Sequence, residues 1–372
     1  NANTTYVTAA AALALNNFEQ DNNSNLQVSP ALTCAGNFEL TAGEVDTSGS
    51  NYGLTVTGDA DVTGTLTLNN SAVSLGALRC NSGAVLSQSS NGTLELTSAT
   101  AANAAGFGDN YSLKNDDGTS DINFGGTITV SAGTYFLGGT APLAASVINN
   151  LIVNDSHYWV GSLTVGGYMT INASKHWQTY GSATGGSRAI KVTGDLTING
   201  QLTTYKANEL DLAAEFGSLT IASGGTYTAT SGTTTMTKAA GSGEWTFDTV
   251  ANSTFTHNNG TIKFAASSGD QKVRNLGGEN FYNLTVDMAN GDLVQGSTGF
   301  IVENNLDITL AADHTWRPNT ASHTLTIYGN TYLTTGKIGD STQFTGTINW
   351  GNVTINSGEF ILSTGTNNVS GI

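Results

Sequence analysis

Val192-Thr193-Gly194-Asp195-Leu196-Thr197-Ile198-Asn199-Gly200-Gln201-Leu202 is the clearest copy of a phrase that recurs along the chain. An earlier copy runs from Val56 to Leu66 (Val-Thr-Gly-Asp-Ala-Asp-Val-Thr-Gly-Thr-Leu), and a later one begins Ile327-Tyr328-Gly329-Asn330-Thr331-Tyr332-Leu333. Looser copies start at Val165 and Val302. In each, Gly or Asn follows two positions after an apolar residue, and a second apolar residue follows after six. The leading residue usually closes an apolar-polar-apolar triplet, as in Leu54-Val56, Leu163-Val165, Ile190-Val192 and Leu325-Ile327. Such a triplet is a half-buried strand. Gly-Asp or Gly-Asn then turns the chain, because these residues accept positive φ or bond their own backbone. Strand, turn, strand, turn at a recurring period is the signature of a solenoid.

The period varies, from about 19 to 29 residues, which excludes strict pentapeptide or hexapeptide helices and predicts irregular rungs. The expected fold is all-β: a right-handed parallel β-helix (β-solenoid) of about a dozen rungs, with a short N-terminal helical cap. Composition agrees. Only 11% of the 372 residues are charged, 46 are Gly and 3 are Pro, where ordinary globular chains carry about 25% charged residues. A chain rich in Gly, Thr, Ser and Asn favours strands and tight turns.

Four segments are expected. Residues 1–25 contain Thr4 and Thr5 followed by Tyr6-Val7-Thr8-Ala9-Ala10-Ala11-Ala12-Leu13-Ala14-Leu15, the one stretch with real helix propensity. Capped by Thr5 and completed by Phe18, it would cover the open first rung or attach the chain to a larger assembly. Residues 26–98 carry rungs, with triplets beginning at Leu32, Leu54 and Leu78. Residues 99–150 break the rhythm and read as an irregular insertion, either protruding loops or an irregular pair of rungs carrying the strand-like Ile128-Thr129-Val130 and Tyr135-Phe136-Leu137. Residues 151–372 resume the rungs, with triplets at Leu163, Ile190, Leu219, Leu284, Leu306, Leu325 and Val353. Aligning the triplets puts Cys34 and Cys80 in one inward column with Val56 between them. Two rungs at about 4.8 Å each separate them by roughly 10 Å, beyond the reach of about 7 Å between disulfide Cα atoms. Both are therefore expected to be free and buried.

A net charge of −16, with 12 Lys and Arg, argues against nucleic acid. No apolar run is long enough to span a membrane as a helix. No cofactor or metal is expected. Asp116, Asp117, Ser120 and Asp121 gather hard oxygens on one loop, but neither the EF-hand spacing nor the nonapeptide calcium repeat is present; a solvated acidic loop accounts for them. Asp59 and Asp195 occupy the turn of the repeat, where turn chemistry suffices. Glu303, Asp307 and Asp313 form a loose carboxylate group near Trp316 and Arg317. None of His157, His176, His257, His314 and His323 sits at metal-ligand spacing. The best ligand candidates are aromatic: Tyr158, Trp159, Trp177 and Tyr180 near the ends of adjacent rungs, with Trp316 further on. Aromatics with polar tips suit carbohydrate or protein contacts, but a rung core plus a subunit contact is the commoner reading of such a run.

The phrases Phe281-Tyr282-Asn283-Leu284-Thr285-Val286, Phe255-Thr256-His257-Asn258-Asn259-Gly260-Thr261-Ile262-Lys263-Phe264 and Leu219-Thr220-Ile221-Ala222-Ser223-Gly224-Gly225-Thr226 resemble the degenerate β-solenoid repeats of large structural proteins of marine tailed phages. Bacterial surface adhesins carry similar phrases. The resemblance covers about 26–98 and 151–372. It implies a non-enzymatic fibre, spike or capsid decoration protein, on the virion or otherwise extracellular. Its partners would be other virion proteins and copies of itself, a trimer in the case of a fibre, with host surface glycans as a target. The alternatives are a secreted bacterial adhesin and a polysaccharide-degrading tailspike using Asp307 or Asp313. The resemblance supplies no catalytic residues.

Overall fold

A computed structural model describes residues 4–8, 12–98, 111–115, 121–132, 135–138, 147–159, 162–179, 189–204, 213–296, 298–318, 324–339, 346–361 and 365–371. Described regular structure is entirely β, and every strand pairing quoted below is parallel. The strands stack as a β-solenoid of about 13 turns. The chain divides into two compact units, 1–188 and 189–372.

In the first unit each rung has three short strands, one per face. On the first face Leu13, Leu32, Leu54, Val73, Leu94, Ile128, Leu151 and Met169 stack as one column. The second face stacks Phe18, Phe38, Ala60, Leu78, Leu113, Phe136 and Trp159. The third stacks Leu26, Val45, Leu66, Leu86 and Ile122. Period-two alternation sends these side chains inward and their neighbours outward. All columns meet in one dry interior, where each fully buried Val, Leu, Ile or Phe contributes about 1.5–3 kcal/mol. The second unit repeats the plan. In one of its columns Val192, Phe216, Met236, Phe264, Val286, Ile308 and Leu333 are fully buried, and the next member, Ile355, is exposed.

The repeated phrase is the corner between two faces. Ile190–Ile198 is one bent strand whose register against Ala214–Ile221 shifts between Val192 and Asp195. Leu54–Val62 bends in the same way opposite Ala72–Cys80. Glycine is required there because rungs pass backbone to backbone. A Cβ on Gly58 would lie 2.7 Å from the Gly36 carbonyl oxygen, and one on Gly217 would strike the carbonyls of Thr193 and Gly194.

Three expectations change. Thr4–Thr8 and Leu13–Leu15 are strands, pairing with Asn25–Ser29 and Leu32–Cys34, where a helical cap was expected. Phe18 stacks on Phe38 with centroids 4.7 Å apart instead of completing a helix face. Strand pairing to the next rung outweighs the helix propensity of this stretch; residues 9–11 lie outside the described residues. Within 99–150, the described segments Tyr111–Asn115, Asp121–Val130, Tyr135–Gly138 and Val147–Val153 are rungs that pair with both neighbours. Finally, Cys34 and Cys80 are not in one column. Cys34 pairs with Val56, which pairs with Leu75, whereas Cys80 pairs with Val62 on the second face. The triplet at Leu78 had been aligned with the wrong face. In the same way Leu219 pairs with Leu196 and not with Ile190.

Both cysteines are buried and neither is in a disulfide, and burial raises the Cys34 thiol pKa. Neither thiol is therefore expected to react with a disulfide reagent while the chain is folded, and both should titrate after denaturation. Rapid labelling of either one in the native protein would contradict this packing.

Candidate functional site

The aromatic candidates divide by strand alternation. In His157–Trp159 the outer two residues point inward: His157 and Trp159 are buried and Tyr158 is half-buried. The His157 ring nitrogens sit 2.9 Å from the carbonyl oxygens of Asp155 and Ala132. Trp177 packs between Trp159, whose centroid is 6.2 Å away, and Phe136 at 5.4 Å. Trp316 continues a run of core rings in the second unit, with Phe300 and Trp350 each 6.5 Å from it. Trp159, Trp177 and Trp316 are 0% exposed and offer no surface to a ligand; they fill the interior that the short strands enclose. Of the five candidates only Tyr158 reaches outward, and Tyr180 lies outside the described residues. The loop Asp116–Asp121 is likewise outside them, apart from Asp121, which begins a strand. Among the described residues no group of three or more His, Cys, Asp or Glu could hold a metal ion.

The outward layer is organised by polar ladders. In the second unit Asn283 Oδ1 accepts from the Asn304 amide at 2.9 Å and from the Asn305 backbone N–H at 3.2 Å. The Asn330 side chain donates to Asn305 Oδ1 at 3.2 Å, and Asn352 donates to Asn330 at 3.0 Å. The first unit has its own version, Asn51 to Asn70 to Asn91, through backbone N–H donors. Each bond contributes about 1 kcal/mol. The Asn of the repeated phrase thus ties one corner to the next.

The acidic residues of the phrase are also part of the framework. Asp195 Oδ1 accepts from Ser218 Oγ at 2.7 Å and from Lys238 Nζ at 2.6 Å. Burial raises its pKa, but those two hydrogen bonds and the lysine charge outweigh it and hold it below the ordinary value. Asp59 goes the other way, raised by burial and by the nearby Asp61 charge.

One corner of the second unit differs. Phe281, Val302 and Ile327 stack inward, and the residues that follow them, Tyr282, Glu303 and Tyr328, face outward on successive rungs. The His257 ring stacks on Tyr282 with centroids 5.6 Å apart, and its Nε2 lies 3.3 Å from Glu303 Oε2. Asn280 donates to Glu303 Oε1 at 2.8 Å. The loose carboxylate group therefore separates. Glu303 sits in this corner, and Asp307 lies on the next face between Thr285 and Tyr332, its pKa raised by burial. Asp313 stands in an exposed turn.

Tyr328 is the most prominent surface aromatic of the described residues, 68% exposed. Strand alternation turns it outward, as it does Tyr282 and Glu303 on the preceding rungs, and a bulge widens its corner. Thr326 pairs with Asn349 and Asn330 pairs with Asn352, so residues 327–329 stand opposite residues 350–351. Beside it is a shallow, open depression of about 420 Å³. Sequence pattern could flag the aromatic in Ile327-Tyr328-Gly329, but the bulge depends on the following rung being one residue shorter at that corner.

No family model, no curated protein and no solved structure matches this chain.

Proposed function

We propose that this chain is a non-enzymatic structural protein: a right-handed β-solenoid that acts as a fibre, spike or decoration protein of a phage particle. It displays the irregular corner of its second unit toward partners or host surface glycans. The observation that carries the reading is the repetition of one stabilising scheme along each unit. Inward columns, glycine corners and asparagine ladders recur rung after rung, which builds a stiff stack whose variable surface is confined to corners. Right-handedness follows the strong steric preference of parallel crossover connections. Solenoids of this kind serve as surfaces for recognition because each rung contacts only its neighbours and tolerates changes at its turns. Copies of the chain would assemble as homo-oligomers, a trimer in a fibre. The same architecture suits a secreted adhesin, so the place of display is the property to test.

Antibody raised against the purified chain, applied with gold label to intact concentrated virions and to host cells, makes the test. Label on the particles, at the tail or over the capsid, is the expected result. Label confined to the surface of bacterial cells would reject the particle assignment in favour of the adhesin.

A further inference from the structure

We infer that the depression beside Tyr328 is a binding site for a neutral sugar residue of a glycan, which deepens the reading above and rests on it. Three features of its wall and floor carry this. First, Tyr328, 68% exposed, and Val369, 43% exposed, form apolar walls. An exposed aromatic face is what the C–H face of a pyranose packs against, with the phenol at its edge able to hydrogen-bond.

Second, the floor is a row of planar amides. The Asn349 side chain donates to Thr326 Oγ1 at 3.1 Å, and the Asn368 side chain donates to Asn349 Oδ1 at 2.8 Å. These bonds fix both amide planes in register with paired strands, since Thr326 pairs with Asn349 and Asn349 with Asn368. Within that ladder each amide spends one N–H. A second N–H on each, and the Asn368 carbonyl, remain for an outside partner. A pre-oriented donor and acceptor side by side match the vicinal hydroxyls of a sugar, each of which both donates and accepts. Holding the amides in place beforehand also lowers the ordering cost of binding.

Third, the lining has no charged side chain. Lys and Arg are what phosphates and carboxylates need, and the chain as a whole carries −16, so uronic acids, nucleotides and phospholipid headgroups are disfavoured. The polar floor disfavours a purely apolar ligand. The volume, about 420 Å³, falls at the lower end of the ~300–1,000 Å³ range of small-ligand sites, which suits a short stretch of glycan and not a long chain.

The test is a titration of the full chain with neutral glucose, galactose and mannose hexasaccharides and with an oligogalacturonate of equal length, followed by ligand-observed NMR. At least one neutral hexasaccharide should bind with a Kd of roughly 1 mM or tighter, and the uronate should bind at least ~10-fold more weakly. Tyr328→Ala should weaken binding at least ~10-fold with thermal unfolding unchanged, because that side chain is 68% exposed; Asn368→Ala should weaken binding several-fold and lower thermal stability slightly, because it also removes the ladder bond to Asn349. Tyr168→Ala, at an exposed tyrosine of the first unit, should leave binding intact. Absence of binding by every neutral hexasaccharide at ~10 mM would overturn the site. So would binding that survives Tyr328→Ala, or uronate binding of equal strength. Labelled virions without sugar binding would reject this site alone; sugar binding with unlabelled virions would reject only the particle assignment.

Discussion

Trp316→Ala is expected to cost about 3–5 kcal/mol, the range for removing a large aromatic from a packed core. Trp316 is 0% exposed and stands in a column between Leu293 and Ile338, with Phe300 and Trp350 against its ring. Rungs cannot slide together to close the hole, because strand pairing fixes their separation. A solenoid's stability is a sum of neighbouring-rung terms, so the loss should be local. In hydrogen exchange the strands Leu293–Gln295, Thr315–Pro318 and Lys337–Ile338 should lose protection, while strands of the first unit keep theirs. Trp316→Phe gives an internal comparison. The Trp316 indole N–H has no hydrogen-bond partner among the described residues, and an orphan buried donor costs about 1–3 kcal/mol. Phenylalanine removes that donor along with part of the volume, so it should be much milder than alanine. Unchanged stability of the alanine variant would place Trp316 at the surface and restore its candidacy as a ligand contact.

The second large effect is expected at Asp292, whose side chain is 8% exposed. One carboxylate oxygen accepts from the Thr315 backbone N–H at 2.7 Å and lies 3.4 Å from His314 Nδ1. The other is held by Arg317 Nη2. The Asp292 N–H itself donates to Asp270 Oδ1 at 2.9 Å, so one aspartate links three rungs. Truncating one partner of a fully buried pair costs about 3–5 kcal/mol. Here the Arg317 side chain is 43% exposed and its charge can be hydrated, which reduces the penalty. Asp292→Ala should therefore cost about 2–3 kcal/mol, seen as a lower urea midpoint. Asp292→Asn keeps an acceptor for Thr315 and should cost less. An alanine variant as stable as the parent would show that the cluster contributes nothing net.

How far the sequence could be read depended on how local the determining interaction was. The triplets at Leu32, Leu54, Leu284 and Leu306 needed only alternation to be assigned as strands with one buried edge, and the first two pair directly. Leu284, Leu306 and Val353 share a column, but through Thr331, a residue that breaks the apolar pattern. Leu325 belongs to a different face, pairing with Ile348. Trp159 is a core residue for a local reason. His157-Tyr158-Trp159 is a strand, and alternation alone puts His157 and Trp159 on the inward side and Tyr158 on the outward one.

The sequence by itself determined a parallel stack of short strands, the inward and outward sense of its triplets, and glycine at the corners, because period-two burial and backbone clearance act within a few residues. Only the tertiary structure decided which face each triplet joins, since three faces share one local pattern and rung lengths vary. That choice separated Cys34 from Cys80, drew the N-terminal stretch into a strand, and set Tyr328 at a corner where the next rung is one residue shorter.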